Sequence, residues 1–167
     1  MNGQSAAALA DLLHADHVLL DLYESAMGSL SAETTQMLSE AIHDHRVHES
    51  ELLEAIETAD LQLSEPSDDV RLLMEEHVMK IARATEEHEV LETLMLAERL
   101  NSMLYETAER ENMPEELSDV IADHHADERM HASLIAERMP EVSSMGSHAV
   151  SCMTGGMTDD INPDDFD

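Results

Sequence analysis

The sequence predicts an all-α protein, a four-helix bundle, on three observations. Ala, Leu, Glu and Met dominate its 167 residues, and all four are good helix formers. Glycine and proline are few, five and four, and cluster in short breaks or towards the C-terminus. Between those breaks, apolar residues recur at helical spacing over long stretches. Aromatic residues make up 2 % and tryptophan is absent, so the core falls to aliphatic side chains and methionine.

A first helix is expected over 6–30, where Leu9, Leu13, Leu20, Tyr23, Met27 and Leu30 share one face. Gly28 and Ser31 mark a break. A second helix follows over 31–60, with Leu38, Ile42, Leu52 and Ile56 in phase. The segment LQLSEPSDD ends it, Pro66 being the clearest stop. No glycine or proline occurs from 68 to 111, which predicts one long third helix. Asn112 and Pro114 close it, and Asn112 with Glu115 has capping-box spacing for a fourth helix over 115–138, before Pro140. These elements make one domain over 1–140. Residues 141–167 are rich in Gly, Ser and Asp and have no apolar period, which predicts a flexible acidic tail. There His148, Cys152, Met153 and Met157 offer donors for a soft metal such as Cu(I), against the plainer reading of scattered methionines.

Charge narrows the partners. With 38 acidic and 8 basic residues the formal net charge is -30. Such a surface repels nucleic acid and anionic membranes and attracts cations, and it equally keeps a protein hydrated in salt. Cys152 stands alone, so neither a disulfide within the chain nor a four-cysteine iron site can form. The N-terminal MNGQSAAALADLL is not a secretory signal and no apolar run reaches membrane-span length. A cytoplasmic protein is expected.

An internal repeat is visible. LADLLHADHVLLDLYESA (9–26) lies over LETLMLAERLNSMLYETA (91–108), pairing Asp16 with Glu98 and Tyr23 with Tyr105, the two tyrosines of the chain. LSEAIHDHRVHE (38–49) lies over LSDVIADHHADE (117–128), pairing His45 with His124 and Glu49 with Glu128. The pattern predicts a duplicated helical hairpin, which closes into a bundle of approximate two-fold symmetry. The stretch 61–90 between the copies either carries a crossover helix of its own or extends the third helix.

At about 100° per residue, each helix places acids on its apolar side. Asp16 falls among Leu13, Leu20 and Tyr23, and Glu98 among Leu91, Met95 and Tyr105. His45 and Glu49 share the face of Leu38, Ile42, Leu52 and Ile56; His124, Glu128 and His131 share that of Leu117, Ile121 and Ile135. Buried carboxylates are costly unless paired or bound to metal. Basic partners are scarce, so Asp16, His45, Glu49, Glu98, His124, Glu128 and His131 are candidate ligands of iron, manganese or zinc. His17, His48 and His88 fall at the rims of their faces, and His14, His43 and His77 are assigned to the surface. Met27, Met74, Met95, Met103 and Met130 are assigned to packing.

These residues resemble the ferritin-like superfamily, in particular its rubrerythrin and bacterioferritin branches. There two helices each give one Glu and two give a Glu-x-x-His pair. Glu128-Arg-Met-His131 matches that pair, and Asp16 and Glu98 match the single carboxylates. Tyr23 and Tyr105 follow these by seven residues, a spacing also seen in rubrerythrins, which implies hydroxyls held against ligand carboxylates. The resemblance implies iron, as a di-iron centre, and ferroxidase or peroxidase chemistry. This chain departs from the pattern where Glu49 is followed by Leu52 instead of His, with His45 or His48 as replacement, and where Asp16 is shorter than Glu.

Two other readings compete. A hemerythrin-like oxygen or metal binder would use His17, His45 and Glu49, but the third helix lacks His-x-x-x-His: His77 is followed by Ile81 and His88 by Glu92. A metal-free bundle would serve in assembly or stress. Leu96, Leu100, Met103 and Thr107 make a second stripe on the third helix, which predicts a homo-oligomer, a dimer or larger.

Overall fold

The computed structural model describes residues 3–154, with side chains to residue 139. The described residues are helical throughout apart from short connections. The elements are α1 (Gly3–Ala26), a short 3-10 turn (Met27–Ser29), α2 (Ala32–Thr58), α3 (Asp68–Arg83), α4 (Glu87–Glu109) and α5 (Glu115–Thr154).

Local chemistry sets the boundaries. Ser31 and Ser67 cap α2 and α3, their hydroxyls accepting from the amides of Thr34 and Val70. After α2 the chain turns through Asp60, whose φ of 49° is left-handed, a region that Asp tolerates better than most residues. The expected helix over 68–111 is in fact two, broken at Ala84–Glu86. There the Glu89 carboxylate accepts the amides of Thr85 and Glu86, completing a capping box that starts α4. The break uses carboxylates as competitors for backbone donors, so the absence of glycine and proline hid it. Residues 61–90 therefore carry a crossover helix of their own. The first backbone bonds of α5 return to the Pro114 carbonyl, not to Asn112.

At the other end α5 continues past 138, through Pro140, to Thr154. A proline removes one backbone donor and crowds one carbonyl, which kinks a helix without necessarily ending it. The tail expected from 141 thus begins inside α5. Residues 155–167, with Met157, and the side chains of His148, Cys152 and Met153 lie outside the described residues.

Helix α1 packs on α2 and α4, and α5 packs on both of these in turn; α3 lies against α1 and α4. Side-chain bonds fix the directions. Glu24 meets Arg46 and His17 meets Glu49, so α1 and α2 are antiparallel. Asp44 meets His131 and Glu51 meets His124, so α2 and α5 are antiparallel. At one end Glu87 of α4 accepts from Ser31 and Thr34 of α2, and further along both helices His45 meets Glu98. Hence α2 and α4 run parallel, and α3 supplies the return pass between them.

The interior has two apolar layers. Leu19, Leu22, Leu38, Met74, Leu91, Leu94 and Ile135 fill one, and Leu9, Leu12, Leu52, Ile56, Leu117 and Ile121 the other. Each buried Leu or Ile contributes about 1.5–3 kcal/mol. Met74 is fully buried, and Met27 and Met95 pack on the first layer. Met103 and Met130 instead lie on the surface, and His77, expected there, is buried on α3. No helix is long and apolar enough to cross a membrane among the described residues.

Candidate metal centre

Between the two apolar layers lies a polar one. Asp16 of α1, His45 and His48 of α2, Glu98 and Asn101 of α4, and Glu128 and His131 of α5 are all buried there. Each sits about a turn or two from apolar neighbours of its own helix, so the period that builds the core also carries these groups inside.

All of these except Asn101 supply atoms that could hold a metal ion, in two overlapping groups. One is Asp16, His45, His48 and Glu128; the other is His45, Glu98, Glu128 and His131. Within each, a nitrogen or oxygen from every residue lies within 4.8 Å of the others. Each group takes one carboxylate from α1 or α4 and one terminal imidazole from α2 or α5. His45 and Glu128 belong to both. His45 Nε2 is 3.1 Å from Glu98 Oε1, and its Nδ1 is 3.4 Å from Glu128 Oε1 and 3.9 Å from Asp16 Oδ1.

The carboxylates are held from the α1 and α4 side. Tyr105 donates to Asp16 Oδ2 at 2.7 Å, and Tyr23 donates to Glu98. Each tyrosine thus bonds the carboxylate of the opposite helix, not the one seven residues before it. Asn101 donates to Asp16 Oδ1 at 2.7 Å and to Glu128 Oε2 at 3.0 Å. Among the described residues no lysine or arginine pairs with the three carboxylates; their ion pairs are all to histidine.

The imidazoles are held from outside. His131 Nε2 is 3.2 Å from Asp44, and His48 Nε2 is 3.4 Å from Asp127. A neutral His131 donating from Nε2 to Asp44 turns its Nδ1 lone pair inward, the orientation a metal ligand needs. That Nδ1 has no hydrogen-bond partner, nor have His45 Nδ1 and Glu98 Oε2. All three belong to the same four-residue group. Unpaired buried polar atoms are rare, and three together need an explanation.

Burial dominates the electrostatics. It raises Glu98 to about 7 against the pull of the Tyr23 hydroxyl and the neighbouring Glu128. It raises Asp16 to about 6, helped by the Glu128 charge and opposed by His45, Tyr105 and Asn101. Burial lowers His131, with the nearby His45 adding to the effect. His124 is likewise lowered, first by burial. Burial alone would lower His48, but the bond and charge of Glu128 outweigh it and hold the imidazole above its ordinary value. The layer therefore holds protons that a cation would displace.

Of the seven candidate ligands, five meet in these groups: Asp16, His45, Glu98, Glu128 and His131. Glu49 does not. It lies at the α1 edge of α2, 2.9 Å from the exposed His17, while His48 falls on the α5 edge facing Glu128. Both flank the seam through His45 and Leu52 by similar angles, so helical phase alone cannot choose between them. His124 is buried but outside both groups, bonded through Nε2 to Glu51 at 2.9 Å and stacked on His48 with ring centroids 4.1 Å apart. Leu52 lies in the second apolar layer. Assigning His48 to a rim missed a member of the first group, and leaving Asn101 aside missed the amide that holds Asp16 and Glu128. Their signals were the three-residue spacings His45–His48 and Glu98–Asn101. The motif on α2 is His45-x-x-His48, set against Glu128-x-x-His131 on α5. No family model, curated protein or solved structure matches the chain.

Proposed function

We propose that this chain is a ferritin-like metalloprotein, a four-helix bundle made from a duplicated hairpin, that binds iron between its helices and oxidises Fe(II) with oxygen or peroxide. The observation that carries the reading is the group His45, Glu98, Glu128 and His131, in which His45 Nδ1, Glu98 Oε2 and His131 Nδ1 lack hydrogen-bond partners. The donors are oxygen and imidazole nitrogen, which suit iron and also manganese or zinc. The reciprocal bonds Tyr23 to Glu98 and Tyr105 to Asp16 support the duplication.

In this reading Glu98, Glu128, His45 and His131 hold a first ion, and Asp16 and His48 extend the site to a second. Bound iron would supply one-electron redox chemistry. The protein's part is to bind, orient and manage protons. Tyr23, Tyr105 and Asn101 fix the carboxylate oxygens, Asp44 and Asp127 fix the imidazole faces, and the apolar layers exclude water. The exposed Leu96 and Met103 would form the contact between copies; sedimentation of L96E/M103E against wild type tests that.

One observation favours a second reading, a metal-free assembly protein: Asp16 accepts from both Tyr105 and Asn101, and Glu128 from Asn101, so protein donors meet part of their needs. An anaerobic Fe(II) titration followed by exposure to oxygen separates the two. Ferritin-like activity requires bound iron and oxidation faster than in buffer; the metal-free reading requires neither.

A further inference from the structure

The buried groups are closed unevenly. Towards α1 and α4 the carboxylates are locked by Tyr23, Tyr105 and Asn101. The His17–Glu49 pair on the α1–α2 side bonds to neither buried group. Between α2 and α5 the closure is different, because the groups there are themselves metal donors. His48, His124 and His131 form a layer of imidazoles, 2–5 % exposed. Each has its Nε2 on a half-exposed carboxylate: Asp127, Glu51 and Asp44 respectively. His48 and His131 turn their Nδ1 atoms towards Glu128 and Glu98. Resting on the metal reading above, we infer that the α2–α5 seam is the passage by which a divalent cation reaches the buried groups, with Glu51 and His124 as its outer station.

The chemistry runs in steps of matched donors. A hydrated cation meets Glu51, whose carboxylate is 54 % exposed, in the field of a chain of net charge -30. Displacing the Glu51–His124 bond frees His124 Nε2 to take the ion, and its proton leaves to solvent. His124 is stacked on His48 with ring centroids 4.1 Å apart, and His48 Nδ1 lies 3.0 Å from Glu128, so the imidazoles run without a break from Glu51 to the buried carboxylate. His131 Nδ1, buried, without a hydrogen-bond partner and 3.9 Å from Glu98, lies at the inner end of the same layer. This gives a role to His124, a buried histidine that belongs to neither group.

The test is the rate of Co(II) loading, followed by absorbance in a stopped-flow instrument, in wild type, E51Q, E51Q/H124Q and a charge control, D21N/E75Q/E92Q, whose acids are exposed on α1, α3 and α4. Loading should slow by about tenfold in E51Q/H124Q, and by less in E51Q, within the range of such steering effects. Release to a chelator should slow equally, leaving stoichiometry and affinity unchanged, and the control should load at the wild-type rate. Wild-type loading in E51Q/H124Q, an equal slowing in the control, or a loss of affinity matching the loss of rate overturns the passage. A wild type that binds no cobalt overturns the metal reading and the passage together.

Discussion

Tyr105 on α4 donates its hydroxyl to Asp16 on α1 over 2.7 Å, deep in the interior. Tyr23 on α1 returns the same bond to Glu98 on α4. The two helices run antiparallel, so each tyrosine reaches the carboxylate of the other. Burial holds both phenols well above their ordinary pKa, so they act as donors at every working pH. Without these hydroxyls Asp16 would keep one donor and Glu98 only histidine.

Tyr105→Phe therefore leaves the space filled and removes one bond to a buried carboxyl. A loss of about 2 kcal/mol is expected in urea unfolding of the metal-free protein. Tyr23→Phe should behave alike. A change within about 0.5 kcal/mol for both would mean the bonds do not hold the layer.

Glu128 belongs to both ligand groups and Glu49 to neither. Glu128→Gln should abolish tight metal binding, while Glu49→Gln should leave it within about threefold of wild type, a ratio of less than roughly 1 kcal/mol. Isothermal titration with Co(II) reads both. Equal losses in the two variants would restore the sequence-based assignment of Glu49.

The pH dependence follows from the raised carboxyls. Glu98 titrates near 4.5 when free and at about 7 when folded, and Asp16 moves from 3.8 to about 6. The folded state binds more protons between those values, so the stability these groups contribute is full below the free values and is lost as pH rises through the folded ones. Glu98→Gln removes the proton. Its stability relative to wild type should rise by roughly 2 kcal/mol between pH 5 and pH 8. His124 and His131 are present in both proteins, so their opposite trend largely cancels in the difference. A flat difference would place Glu98 in a wet environment.

Metal uptake should release protons, because ligands bind deprotonated. More should appear at pH 6, where Asp16, Glu98 and His48 still hold protons, than at pH 8. A pH-stat during Co(II) addition reads this, and equal release at both values would contradict the proton inventory of the layer.

Much of the architecture was legible because period and composition speak directly for helices. The all-α class and the inward position of Asp16, Glu98, Glu128 and His131 follow from spacing alone. The break at Ala84–Glu86 was hidden because Glu89 makes it without glycine or proline. Register on α2 was hidden for another reason. Identity aligned His45 with His124 and Glu49 with Glu128, whereas His45 sits opposite Glu128 in both ligand groups. A shift of four residues moves a side chain along a helix by about a turn but keeps it near the same face. Periodicity therefore could not separate the two registers; contact across α2 and α5 did.

The most direct test of the account is the metal content of the chain after anaerobic equilibration with Fe(II) and removal of unbound ion, measured by elemental analysis beside Glu128→Gln. The account predicts at least one tightly held iron per wild-type chain and a loss of that iron in the variant, with helicity unchanged. A wild-type chain that retains no metal, or a variant that retains as much as wild type, would contradict it.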